Sequence, residues 1–394
     1  MGRIVVFGTG VVAYGVIEEG AKAGHQVIHV SAKSDDIAAR SNLIDEKHVI
    51  HFNEMADASL VEFFLRKSAQ WNGALLIPVN DQYIVFISQH LAELAPHYVC
   101  TVQPWETHQE IISKNRLYQR CYDIGVPAPA IHEVHSAIDV DGIADKLAYP
   151  CILKPYQTPE FFSVYGKKMI EVHDTAELLE QFADVQSHNL DVMVSEIIPG
   201  PVEDLVTYVS CLDASGDVLA EFFTQKVREN TAYGVASVIK TVEPIVEIRD
   251  SSLTLLRHFS YRGFSCAEFK RDKRDGVYKV IEINSRPVLY HRLFVAAGIN
   301  IVALLHANLV EGKKPAMRAG VPGINWMHNF TEVYALGNAI RSSSGSLKEF
   351  FRPYRQPHIF GLPFFSDPKP FMSMLRRELR SLWRRKFGRK RKKS

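Results

Sequence analysis

Short apolar runs alternate with helical-period segments over the first 110 residues. RIVVFGT reads as a buried strand, VVAYGVIEEGAKAG as a helix closed by glycine, HQVIHVSA as a second strand and GALLIPVND as a later one. Strands that are apolar on both faces and separated by helices imply a parallel α/β domain. Gly8-Thr9-Gly10 turns directly from strand to helix, which brings backbone N–H groups and a helix N-terminus to one edge of the sheet. Asn80 and Asp81 follow the strand GALLIP at the same edge, where they either cap a helix or meet a ligand.

Beyond residue 110 the pattern changes. PWETHQEIISKNRLYQRCYDIG predicts one amphipathic helix carrying Lys114 and closed by Gly125, followed by a Pro-rich turn. In YPCILKPYQT, Lys154 ends a short apolar run just before Pro155, and a lysine there is costly to bury without an anion. After a helix over 174–185, Val192–Val194 lead into Glu196, a reversal at Pro199-Gly200 and another strand. FFTQKVRENTAYGVASVIKTVEP then places Gln225, Lys226 and Arg228 ahead of a loop containing Gly234.

The most informative pattern is AEFKRDKRDGVYKVIEINSRPVL, residues 267–289. Two alternating runs flank Asp275-Gly276, a dipeptide that favours a tight reversal, so the segment predicts a β-hairpin. Residues two apart share a face, which aligns Glu282 with Asn284 on one strand and Glu268 with Lys270 on the other. A turn centred near Arg274 sets Glu268 opposite Val280, one step from Glu282. Three oxygen ligands then converge with Arg286 just beyond, a hard-ligand set suited to Mg²⁺ bound together with phosphate.

This hairpin resembles the metal-binding strands of the ATP-grasp superfamily. The resemblance runs in consistent order over about residues 1–330. It implies an α/β chain in which a Rossmann-like domain (1–110) precedes two ATP-grasp lobes (111–190 and 191–330), with a C-terminal extension (331–394). It implies ATP and Mg²⁺, or Mn²⁺ in its place, with the metal on Glu268, Glu282 and Asn284. Lys114 and Lys154 would contact ATP phosphates, Glu196 and Ile198 the adenine hinge, and Glu203 or Asp204 the ribose. Where many members carry a glycine-rich phosphate loop, this chain has TPEFFSVYGKKMIEV with only Gly166, and Lys167 and Lys168 would take part of that contact. Lys226, Arg228 and Arg286 would serve catalysis, as in carboxylate–amine ligases that resemble D-aspartate ligase; FFSDPKP at 364–370 resembles a short C-terminal element of that branch. The implied reaction activates a small carboxylate as an acyl phosphate and joins it to an amine, in a chain expected to form a homodimer.

Composition agrees with a globular enzyme. No run of about 18 apolar residues is present, the segment MGRIVVFGTG enters a strand at once, and the five cysteines are widely spaced without a CxxC. A reduced, cytoplasmic protein is expected. The net charge of +2 conceals an asymmetry, for residues 376–394 hold eleven Lys or Arg and one acid. Leu375, Leu379, Leu382, Trp383 and Phe387 recur there at helical spacing among arginines, so 371–394 predicts a basic amphipathic helix suited to an anionic membrane surface, on the inner face of the membrane. Nucleic acid is disfavoured, because the rest of the chain is net acidic. Two other readings stay open at this point. One is an NAD(P)-dependent enzyme using the Gly8–Gly10 turn, although the third fingerprint glycine is Ala13 and the second strand runs into Ser31, Ala32 and Lys33 without an acid. The other is a non-catalytic nucleotide-binding scaffold.

Overall fold

The computed structural model describes residues 2–156, 158–167, 169–230, 234–342 and 347–388. Three sheets organise them. The first is five-stranded and parallel, in the order β3-β2-β1-β4-β5, from β1 (Arg3–Phe7), β2 (Gln26–Ser31), β3 (Glu46–Val49), β4 (Leu75–Pro78) and β5 (Val99–Cys100). Ile4 to Phe7 are fully buried, as expected of a strand covered by helices on both faces. The second sheet is antiparallel, β6-β9-β7-β8, from β6 (Ile131–Val134), β7 (Cys151–Pro155), β8 (Ile170–Val172) and β9 (Val192–Glu196).

The third and largest sheet runs β14-β13-β10-β11-β12-β16-β17. Its strands are β10 (Leu205–Leu212), β11 (Val218–Glu229), β12 (Ala236–Val242), β13 (Gly263–Arg271), β14 (Tyr278–Asn284), β16 (Asn325–Met327) and β17 (His358–Phe360), with β15 (Arg318–Ala319) paired to β11. One face of this sheet carries Val209, Cys211, Phe222, Ile239 and Cys266 into a core shared with Val11, Tyr14 and Ile17 of the first helix, Gly10–Lys22. The other face packs Val206, Tyr208, Phe223 and Phe269 against Leu117, Tyr118 and the helix Val246–His258. The polar end of the first face carries Lys226, Glu268 and Glu282.

Two local features depart from the sequence expectation. The single helix predicted across residues 105–124 is two, Trp105–Ile112 and Lys114–Asp123, broken at an extended Ser113. Lys114 therefore opens a helix rather than lying along one. The segment expected as a phosphate loop is largely a helix, Thr158–Tyr165, and Lys168 lies outside the described residues.

Candidate functional site

The metal-ligand expectation rested on the hairpin, and the hairpin is present with an altered register. Phe269 pairs with Val280, but Glu268 pairs with Glu282 rather than with Val280, because a bulge inserts Ile281 between the two rungs. The extra residue shows in the sequence only as two consecutive apolar positions. Its carbonyl accepts a hydrogen bond from Tyr118 Oη at 2.9 Å, which holds the bulge against the helix Lys114–Asp123. A bulge of this kind re-aims a side chain. Here it sets two carboxylates directly opposite each other, where Cβ atoms on neighbouring strands stand about 5 Å apart.

Burial, then the facing Glu282 carboxylate, push the Glu268 carboxyl up to about 7. Glu282 goes the other way. Burial opposes its ionisation, but Lys114 and Asn284 outweigh that and hold it at about 2. Lys114 Nζ lies 3.0 Å from Glu282 Oε2, and Asn284 Nδ2 donates to Glu282 Oε1 at 2.9 Å. Burial likewise works against the Lys114 ammonium, yet Glu282 keeps its pKa above the usual lysine value. From the facing sheet Lys154 reaches the same place, its pKa lowered to about 7 by burial and then by the neighbouring Lys114. Lys226 acts on Glu268 electrostatically; its ammonium sits 2.8 Å from Glu229 and 3.0 Å from the Gly234 carbonyl. Glu268, Glu282, Asn284, Lys114, Lys154 and Lys226 thus form one constellation.

Among the described residues no group of three or more His, Cys, Asp or Glu side chains is placed to hold a metal unaided. Two carboxylates and an amide fit Mg²⁺ or Mn²⁺ only in the manner of an ion that completes its shell with phosphate oxygens and water. The mutual repulsion recorded in Glu268 is what a shared divalent cation would relieve.

The remaining expected residues divide. Asp204 Oδ1 meets Lys273 at 3.0 Å, while Oδ2 is buried and has no hydrogen-bond partner. Gly200, at φ 133°, comes so close that a Cβ there would stand 2.4 Å from that oxygen. Glu203 offers its backbone carbonyl to Gln225 Nε2 at 2.7 Å. Glu196 ends β9, but its carboxylate is occupied by the Ala130 N–H at 3.0 Å, Lys279 at 3.3 Å and Arg274. Those two cations also hold Asp272, so the carboxylate fastens the hairpin turn to β9 and leaves only backbone groups at Glu196 and buried Ile198 for a hinge contact. Neither Asp272 nor Lys279 was anticipated, and no short motif marks them.

Arg286 follows β14 as expected and makes a two-pronged ion pair with Asp81, through Nε and through Nη2 at 3.0 Å. Asp81 opens the helix after β4, so this pair joins the first sheet's edge to the end of β14. Arg228 is not part of the constellation. It binds the buried Glu332 and the Phe350 carbonyl at 2.8 Å, with its guanidinium 3.9 Å from the centre of the Phe350 ring. Arg228 was expected to act in catalysis; in the structure, after two bulges between Lys226 and Glu229, it lies against the C-terminal extension.

The glycine turn also has its own anion. Asp36 Oδ1 accepts from the Gly10 N–H at 2.8 Å and the Ala38 N–H at 3.2 Å, and Asn80 Oδ1 accepts from Thr9 N–H at 3.3 Å. A carboxylate of the chain stands where a dinucleotide pyrophosphate would bind. This removes the feature that favoured NAD(P).

No family model matches the chain. It is 24% identical over 249 residues to a D-aspartate ligase of Enterococcus faecium, covering 61% of this chain and 59% of that protein. It is 26% identical over 200 residues to a D-alanine–D-alanine ligase of Marinomonas sp., covering 48% of this chain and again 59% of the relative. The chain thus matches less than two thirds of either relative's length. Among solved structures it resembles an L-amino acid ligase from Bacillus licheniformis (TM-score 0.60, 17% identity, 79% of this chain and 74% of that one). It also resembles the N5-carboxyaminoimidazole synthetase of Staphylococcus aureus (TM-score 0.63, 14% identity, 80% and 79%). The likeness to these solved structures is one of fold: a parallel α/β domain followed by an antiparallel sheet and the larger sheet that carries the hairpin.

Proposed function

We propose that this chain is an ATP-dependent carboxylate–amine ligase. The observation that carries the reading is the Glu268–Glu282 pair, bulged into direct opposition and surrounded by Lys114, Lys154 and Lys226. Phosphoryl transfer needs cations around phosphate oxygens and little covalent chemistry from the protein. Glu268, Glu282 and Asn284 would hold Mg²⁺, which neutralises phosphate charge when bound. Lys114, released from Glu282, and Lys154 would take phosphate oxygens. Asp204, with its unpartnered buried oxygen, is a better ribose acceptor than Glu203.

In the reaction proposed, a substrate carboxylate oxygen attacks the γ-phosphorus and ADP leaves with the bridging electrons. The amine then attacks the acyl carbon, and phosphate departs as the amide forms. Arg286 would stabilise the charge on the acyl phosphate and the tetrahedral state, exchanging Asp81 for substrate oxygens. Both curated relatives are ligases named for amino acid substrates, which supports an amino acid as one partner here. Substrate pairs drawn from amino acids and amino sugars, supplied with Mg-ATP and read by phosphate release, test the reading; nucleotide binding without turnover on any pair would favour the scaffold instead.

We also propose that the chain works at an anionic membrane surface, on the inner face of the membrane, through residues 371–394. Among the described residues no helix is long and apolar enough to cross a membrane, so the contact would be peripheral. Sedimentation with phosphatidylcholine vesicles, with and without about 30% phosphatidylserine, tests it; full-length chain that ignores the anionic vesicles overturns the placement.

A further inference from the structure

Two side chains of the helix Lys114–Asp123, four residues apart and so on one face, meet β14. Tyr118 is buried in the core with Leu117 and Cys121, and its hydroxyl holds the Ile281 carbonyl. Lys114 opens the helix, and its ammonium lies 3.0 Å from Glu282 Oε2. The first turn of this helix holds no acid, and a cation there opposes the helix dipole, so Lys114 depends on an anion from elsewhere. Glu282 supplies it.

Both oxygens of Glu282 are engaged by donors of the chain itself, Oε2 by Lys114 and Oε1 by Asn284 Nδ2 at 2.9 Å. Asn284 therefore shows Glu282 its N–H groups, whereas a metal takes an amide through its oxygen. Lys114 and Glu282 are both partly exposed, so ions in solution reach the pair, and charge rather than access decides what binds there. Lys154 neighbours Lys114, while Lys226 is held by Glu229 at 2.8 Å. A divalent ion arriving alone has to expel the Lys114 ammonium and leave it beside Lys154 with no anion to meet. An ion arriving with a nucleotide brings phosphate oxygens, which take the lysines as the ion takes the carboxylate.

We propose that Lys114 is a stand-in cation that holds Glu282 until nucleotide binds, so that the divalent ion enters only together with the nucleotide. Phosphate draws Lys114 off Glu282, the Asn284 amide turns its oxygen inward, and the ion takes the freed carboxylate. Because Tyr118 pins the helix to the bulge, the exchange is a rotation of the Lys114 side chain about a fixed helix. This inference rests on the nucleotide and metal reading proposed above and adds to it the order of binding.

The test is Mn²⁺ binding by the full chain, read by electron paramagnetic resonance, with and without a non-hydrolysable ATP analogue. Wild type should bind Mn²⁺ weakly alone and take it up with the analogue. Lys114→Met keeps the length of the side chain without its charge and should bind Mn²⁺ alone at least about tenfold more tightly than wild type. Lys114→Arg keeps a cation and should show no such gain. A gain of binding cannot arise from a failure to fold, and Lys114→Gln reads the same difference should Lys114→Met prove insoluble. The proposal is overturned if the uncharged variant binds Mn²⁺ alone no better than wild type, or if Lys114→Arg gains as much. Wild type that takes up no Mn²⁺ even with the analogue overturns the metal reading itself, a separate outcome from nucleotide-dependent uptake that ignores the charge at Lys114.

Discussion

Replacing Glu268 by Gln should stabilise the protein while disabling it. The carboxyl is displaced from the ordinary glutamate value of 4.5 to about 7, by burial and by Glu282. A folded-state pKa above the unfolded one means the folded protein holds this proton more tightly. The contribution to stability is therefore fully present below about pH 4.5, falls as pH rises, and is gone above about pH 7. The displacement corresponds to on the order of 3 kcal/mol at pH 8, an upper value because the cleft is partly solvated. Glu268→Gln carries no charge to repel Glu282, so its melting temperature should exceed wild type by a few degrees at pH 8 and match it near pH 5. Thermal unfolding at both pH values, without divalent ions, reads this directly. Adding Mg-ATP should reverse the order, because only wild type can use both carboxylates to hold the metal. A variant less stable than wild type at pH 8, or a difference that ignores pH, would refute the reasoning.

Three further outcomes follow from the same geometry. Lys154→Ala should weaken ATP binding at least about tenfold by calorimetry and Lys146→Ala hardly at all, since only Lys154 reaches the constellation. With the Lys154 pKa at about 7 in the free protein, nucleotide binding should take up a proton, so ATP affinity should decline as pH rises above 7; calorimetry in two buffers of different ionisation enthalpy measures that uptake. Arg228→Leu should destabilise by about 3–5 kcal/mol, because it strands the buried Glu332 carboxylate, whereas Arg228→Leu combined with Glu332→Leu should recover much of the loss; equal melting temperatures for wild type and the single variant would contradict this.

Much of the site was legible because its chemistry is local. A lysine before a proline at the end of an apolar run, and a glutamate and an asparagine spaced two apart beside an Asp-Gly turn, carry their meaning within ten residues. The parallel sheet was legible for the same reason, as runs such as RIVVF are apolar on both faces. What alternation alone could not place was the bulge at Ile281, since one extra apolar residue shifts the pairing without breaking the pattern. The break at Ser113 was hidden because the amphipathic period continues through it. The contact of Arg228 with Glu332 was not legible because the partner is 104 positions away, in an extension with no motif of its own. Asp36 was missed at the glycine turn for a related reason: the acid was sought at the end of β2, whereas it lies five residues beyond Ser31 and folds back onto Gly10.

The measurement that bears most directly on the central claim is Mg-ATP-dependent phosphate release by wild type and Glu282→Gln across paired carboxylate and amine substrates. The account expects at least one pair to yield ADP, phosphate and an amide in equal amounts, and Glu282→Gln to lose at least about a thousandfold in turnover while remaining folded at the assay temperature, though less stable than wild type because Lys114 loses its partner. Amide formation that survives Glu282→Gln would contradict the account, because the opposed carboxylates could not then be the centre of the reaction.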